Sequence, residues 1–246
     1  MSADPVWPQG YGKIAHRELD STNDEARRMA EAGEAGPLWI TAARQTAGRG
    51  RRGRAWDAGT GNLAASLLLR PQAPEAVIGQ LSFVAALAAA DMAAQFAPGA
   101  IIEVKWPNDV LGNGKKLAGI LLESGRDSHG FWLVIGIGMN LADFPEGTEF
   151  PATSLAELGV AAASPDTALC VLAARFAHWY DVWMSLGFET VRTAWLARAA
   201  GLGGPIRARL PHETHEGIFA GIDTGGALLL NQQGRLRPIT AGEVFF

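Results

Sequence analysis

The sequence predicts an α/β or α+β domain followed by a small β module. Three observations lead there. Short runs rich in Ile, Val and Leu alternate with longer segments whose apolar residues recur at helical spacing. The texture changes at Gly201-Leu-Gly-Gly-Pro205, after which only short strands and turns remain. Hydrophobic residues are 48% and charged residues 19% of the 246, a balance that excludes wholesale disorder in a chain long enough for a sizeable core.

Residues 1–12 read as a lead-in with no apolar run, so they are not a secretory signal. Ser21 and Thr22, with acids just after them, cap a helix over 26–32 that Gly33, Gly36 and Pro37 end. Residues 38–43 form a strand. The glycine-rich stretch 43–62 is a long loop, and 63–69 a buried strand stopped by Pro71. Residues 75–97 are one long helix between Pro74 and Pro98. The runs 101–106, 117–124 and 131–141 suit central strands of one sheet, with a turn at 107–109. Two helices follow, over 165–187 and 188–200, with Trp179, Trp183 and Trp195 as core. The remainder divides into strands at IRARL, EGIFAGID, GALLLN, GRLRPIT and EVFF, which suit an SH3-like barrel.

Composition narrows the function. A net charge of −4, from 21 basic and 25 acidic residues, argues against a surface given over to nucleic acid or anionic lipid. A single cysteine, Cys170, excludes an intramolecular disulfide framework and any multi-cysteine metal centre. The most apolar stretch, 83–90, is cut by Asp91, so no membrane span is expected, and a cytoplasmic location is.

Five arginines, 44, 49, 51, 52 and 54, crowd into eleven residues with glycines 48, 50 and 53 between them. Glycine lets backbone N–H groups approach an anion, and arginine offers forked donors that match phosphate or carboxylate. Phosphate or acyl-phosphate binding suits this loop. An RNA-binding tract and a solvated loop stay open from the loop alone. No P-loop, dinucleotide fingerprint or kinase motif is present. In EVKWPNDVLGNGKKLAGILLES (103–124), Asn108 and Asp109 offer oxygens at a turn, and Asp109 is a candidate Mg²⁺ ligand beside nucleotide phosphates. Lys116 at a strand start can stabilise charge on phosphorus. A plain hairpin with an Asn-Gly turn and two solvated lysines explains the segment equally well. Gly136-Ile-Gly-Met-Asn140 lets a planar group lie on the backbone, with Asn140 as a polar contact, and core packing explains it too. His212 and His215 lack a third ligand, and Ser21, Ser66 and Ser154 lack a G-x-S-x-G context.

In this order, DSTNDEA (20–26), ARQTAGRGRRGRAW (43–56), NLAASLLLRP (62–71), VKWPNDVLGNGKKLAGILLES (104–124), GIGMNL (136–141) and GIDTGGALLL (221–230) resemble the biotin protein ligase family. The resemblance implies a class II synthetase-like α+β catalytic domain with a central mixed sheet over 1–202, and a C-terminal SH3-like domain over 203–246. It also implies the monofunctional type, because too few residues precede the Ser-Thr-Asn motif for a DNA-binding domain. The implied reaction joins biotin to ATP as biotinyl-5′-AMP and transfers biotin to a lysine of a biotin carboxyl carrier domain. ATP and Mg²⁺ are then co-substrate and ion. The implied protein is a monomer or weak homodimer with no DNA or membrane partner. By the same resemblance, Arg49, Arg51 and Lys116 are catalytic. Biotin is held by Ser21, Thr22, Asn23, Gln45, Gly48, Arg49, Gly50, Arg51, Lys116 and Gly119. ATP is held by Arg49, Arg51, Trp56, Asn108, Lys116 and Asn140. A lipoate or octanoate ligase of the same superfamily is the alternative.

Overall fold

Strands buried on both faces read as unbroken apolar runs, and the computed structural model, which describes residues 6–56, 59–161 and 163–246, builds its sheet around them. The first five residues of the expected lead-in lie outside the described residues. Seven strands are β1 (Gly12–His16), β2 (Leu38–Ala42), β3 (Leu63–Leu69), β4 (Ile102–Lys105), β5 (Asp109–Gly112), β6 (Lys115–Asp127) and β7 (Gly130–Met139), in the spatial order β1-β2-β3-β7-β6-β5-β4. Only β1 and β2 are parallel, so the sheet is mixed.

The two faces do different work. On β3 and β7, Leu63, Ala65, Leu67, Leu69, Leu133, Ile135 and Ile137 join the main core with the helices α2 (Leu81–Phe96) and α3 (Pro165–Leu186). The intervening Leu68, Trp132 and Val134 pack under α1 (Thr22–Glu31). The same alternation puts Ser66, Gly136 and Gly138 on the α1 face, which becomes the site. Ser21 caps α1 by accepting from the Asp24 N–H, so the helix begins four residues before the expected start. Ser164 and Pro165 open α3 as cap and first residue, and Gly187 ends it with φ 77°.

Four expectations are corrected. The 101–106 run forms β4 at the sheet edge, not a central strand. Its outer side is covered by the chain after α4 (Phe188–Leu196), through Val104 N–H to Arg198 O at 3.0 Å and Ala200 N–H to Val104 O at 2.9 Å. The strand β1, four of whose five residues are exposed, carries no apolar run and extends the sheet where the sequence predicts no strand. The helical stretch Glu75–Phe96, which opens as a 3-10 turn over Glu75–Gln80, is long and apolar enough by composition to cross a membrane, with mean hydropathy 1.6. Its buried share is 72%, and it serves as the core helix. The last helix stops at Leu196 rather than 200.

The second sheet is antiparallel, β8 (Pro205–Arg209), β9 (Thr214–Ile222), β10 (Leu228–Gln232), β11 (Arg235–Ile239) and β12 (Glu243–Phe245), in the order β11-β10-β9-β8-β12. It shares the main core through Phe219, Ile222 and Leu228. Trp106 Nε1 donates to Gly226 O at 3.0 Å, and Arg192 Nε donates to Ile222 O at 2.7 Å.

Candidate active site

A cavity of about 540 Å³ opens on the α1 face of the large sheet. Its polar end is set by the first turn of α1. Thr22 donates from its N–H at 2.8 Å and its hydroxyl at 3.1 Å to Gln45 Oε1. Ser66 Oγ donates to Asn23 Oδ1 at 2.5 Å and lies 2.8 Å from Thr22 Oγ1. Asn23 Nδ2 donates to Glu123 Oε2 at 2.6 Å. A buried network so fully paired is rigid, and a Cβ at Gly136 would fall inside the Asn23 amide. This glycine is therefore fixed by close approach, a function that core packing alone does not describe.

The arginine loop folds as a tight hairpin. Gly50 N–H donates to Arg54 O at 2.7 Å and Trp56 N–H to Gly48 O at 2.9 Å. Arg52 (φ 57°) and Gly53 (φ 71°) make its left-handed tip. The five arginines then part company. Arg44 pairs with Glu18 on the surface at 3.0 Å. Arg49 is held by Asp24 and by Glu123 at 3.1 Å, and holds the Asp24 carboxyl below the usual carboxylate range. Arg52 and Arg54 reach Glu243 on β12. Only Arg51 of these five enters the cavity without an acid in ion-pair range among the described residues. It donates to Asn108 Oδ1 at 3.2 Å, and burial, with Arg52 close by, lowers its pKa.

The hairpin β5–β6 turns at Asn113 and Gly114, both at positive φ. Lys115 is half out in solvent and pairs with Glu157 at 3.0 Å. Lys116 turns inward to Asp109 at 2.6 Å, with the Trp56 ring 5.8 Å from its nitrogen. One of the two lysines is thus solvated and the other is part of the site. Asn108 Nδ2 donates to Ile120 O at 2.5 Å, tying the turn to β6. Asn140 Nδ2 donates to Thr153 O at 2.9 Å, and its buried Oδ1 has no hydrogen-bond partner among the described residues. The planar group lying on Gly138 of β7, and against Gly119 of β6, is the protein's own Trp56 indole, which a Cβ at Gly138 would penetrate.

Of the residues expected at the site, Ser21, Thr22, Asn23, Gln45, Arg49, Gly50, Arg51, Trp56, Asn108, Asp109, Lys116, Gly119 and Asn140 all line this cavity. Gly48 does not. It lies where the loop closes on itself, with Gln45 and the Trp56 carbonyl against it. Sequence reasoning missed Ser66 and Glu123, which hold Asn23, and Lys105, Phe150, Glu243 and Phe245 on the cavity wall. Lys105 is 6% exposed, and burial lowers its pKa to about 8.

Asp109 faces Lys116 at 2.6 Å and Lys105 at 3.9 Å, and the described residues hold no cluster of three metal-ligating side chains. The donor set does not fit a protein-built Mg²⁺ cage.

The profile of the biotin/lipoate A/B protein ligase family matches residues 16–140, and that of the biotin protein ligase C terminal domain matches residues 201–246. The chain is 47% identical over 235 residues to the biotin–[acetyl-CoA-carboxylase] ligase of Paracoccus denitrificans, covering 92% of this chain and 97% of that one. Among solved structures it is similar to the biotin protein ligase of Aquifex aeolicus in complex with biotin and ATP. That match has TM-score 0.83 and 28% identity, and covers 95% of this chain and 97% of that one. It is also similar to the Leishmania major enzyme in complex with biotinyl-5-AMP, with TM-score 0.65 and 26% identity, covering 95% and 100%.

Proposed function

The chain belongs to the biotin/lipoate A/B protein ligase family, and from that premise we propose how its cavity performs the biotin branch of the chemistry. The protein is an ATP-dependent ligase that activates biotin as biotinyl-5′-AMP and transfers it to a carrier-protein lysine. The biotin reading is favoured over lipoate because residues 201–246 match the C-terminal domain of biotin protein ligases.

The observation that carries the mechanism is the presence in one cavity of Lys116 and of Arg51, a half-buried cation with no acid in ion-pair range among the described residues. In the first step a biotin carboxylate oxygen attacks the α-phosphorus of ATP. The bond from that phosphorus to the bridging oxygen breaks, and pyrophosphate leaves. Two anions must meet, so fixed positive charge in a partly desolvated site dominates the barrier. Arg51 and Lys116 supply it, Lys116 exchanging Asp109 for the phosphate and carboxyl oxygens. Asn23, Thr22 and Gln45 hold biotin through the rigid polar network, with Ser21 fixing the helix start beneath them. Arg49 acts through Glu123 by holding Asn23. Gly50 and Gly119 leave room along the chamber, while Trp56, Asn108 and Asn140 border the nucleotide. In the second step the carrier lysine amine attacks the acyl carbon, a C–N bond forms, the acyl–phosphate C–O bond breaks, AMP leaves, and the nitrogen gives up a proton to solvent. No protein nucleophile is involved. Mg²⁺ would come with ATP rather than be held by a protein cage, and would supply charge neutralisation when bound.

The partner is a biotin carboxyl carrier domain, and the setting is the cytoplasm, where ATP is supplied. The working division is a biotin- and ATP-binding part over 1–202 and an SH3-like part over 203–246, supported by the change of sheet at Pro205. The test is ATP–pyrophosphate exchange with biotin and lipoate side by side. Biotin-dependent exchange is expected. Exchange driven by lipoate and not by biotin would reject the assignment.

A further inference from the structure

We propose that Lys105 is a further substrate ligand, the cation that receives the β- and γ-phosphates as pyrophosphate departs. The proposal rests on the ATP-cleaving role assigned to this cavity above and adds a residue to it.

Lysine is seldom buried without a close partner, yet Lys105 lines the cavity and is 6% exposed. Its ammonium lies 3.7 Å from the Phe150 ring centroid, 5.7 Å from that of Phe245 and 5.9 Å from that of Phe246. Aromatic faces hold an ammonium in place without using its N–H donors. Among the described residues its nitrogen makes no hydrogen bond, and the nearest acid, Asp109, is 3.9 Å away and already paired with Lys116 at 2.6 Å. The other acids near this end are committed too. Glu149 is bound by Arg209, and Glu243 by Arg54 and Arg209. Lys105, Lys116 and Arg51 therefore share essentially one free carboxylate, and the surplus positive charge faces the cavity.

Position selects the ligand part. Along the wall the order is Asn23, the Gly136 and Gly138 backbone, Trp56, Lys116, Asp109, Lys105, then Phe150 and Phe245. With biotin at the Asn23 end and the reacting phosphorus at Lys116, the group beyond is the one that leaves. A dianionic or trianionic pyrophosphate fits a surplus of cations, and neither biotin nor the nucleoside does.

The experiment compares the parent, Lys105→Met and Lys105→Arg in two assays. One is biotin-dependent ATP–pyrophosphate exchange. The other is transfer from preformed biotinyl-5′-AMP to a biotin carboxyl carrier domain, which needs no pyrophosphate. Lys105→Met is expected to lower exchange about 10²-fold and raise the KM for ATP, with transfer within about twofold of the parent. Lys105→Arg is expected to recover most of the exchange. Undiminished exchange in Lys105→Met, an equal loss in both assays, or no recovery in Lys105→Arg would each overturn the assignment. Absence of biotin-dependent exchange in the parent would instead reject the functional assignment beneath it.

Discussion

The Gly136 position shows how a missing side chain can be a binding residue. Its Cβ would take the space of the Asn23 amide, so Gly136→Ala breaks the bonds from Ser66 and to Glu123. The expected outcome is a rise of about 10-fold in the KM for biotin, the worth of one or two hydrogen bonds, with the KM for ATP unchanged in steady-state kinetics. Lys105 makes the opposite trade. Burial lowers its pKa from 10.5 to about 8, so the unfolded chain binds the proton more tightly than the folded one. The cost to folding is full below pH 8 and fades as the pH climbs from there toward 10.5. Lys105→Met is therefore expected to be more stable than the parent at neutral pH, by about 1 kcal/mol. Thermal melts should show that margin shrinking in alkaline buffer.

At the scale of elements, what was legible followed burial. The runs 63–69, 117–124 and 131–141 read as strands because most of their residues are apolar and covered, so that single polar residues such as Ser66 and Glu123 do not break the pattern. By contrast, β1 exposes four of its five residues and has no such signature. The site divides the same way. Ser21–Asn23, the arginine loop and Lys116 announce themselves as local sequence. Ser66, Glu123, Lys105 and Glu243 work only through partners brought in from other strands, which one-dimensional spacing does not reveal. Glu243 illustrates this, since it anchors Arg52 and Arg54 from almost two hundred residues away. The sequence reads this stretch only as a long loop, and the structure latches it to β12. Glu243→Gln should weaken the latch by ~1 kcal/mol, a few ion pairs' worth. Limited trypsinolysis is then expected to cut within 49–54 about fivefold faster, a rate that follows the open population.

For the molecule as a whole, the two sheets are not independent bodies. Phe219, Ile222 and Leu228 belong to the same core as α2 and α3, and Glu243 and Phe245 form part of the cavity wall. A chain cut after residue 202 is therefore expected to lose pyrophosphate exchange itself, and not merely delivery to the carrier. The intact chain should unfold in one transition when far- and near-ultraviolet circular dichroism are overlaid. The change of texture at residue 201 was plain in the sequence. This dependence was not, because it lies in contacts such as Trp106 Nε1 to Gly226 O. The wall contributed by β12 also has a bearing on biosynthesis. Translation must run beyond Phe245, and those residues must clear the ribosome's exit tunnel, before the chamber has all its sides. A nascent polypeptide that has not yet folded this strand thus has no competent place to make the reactive anhydride.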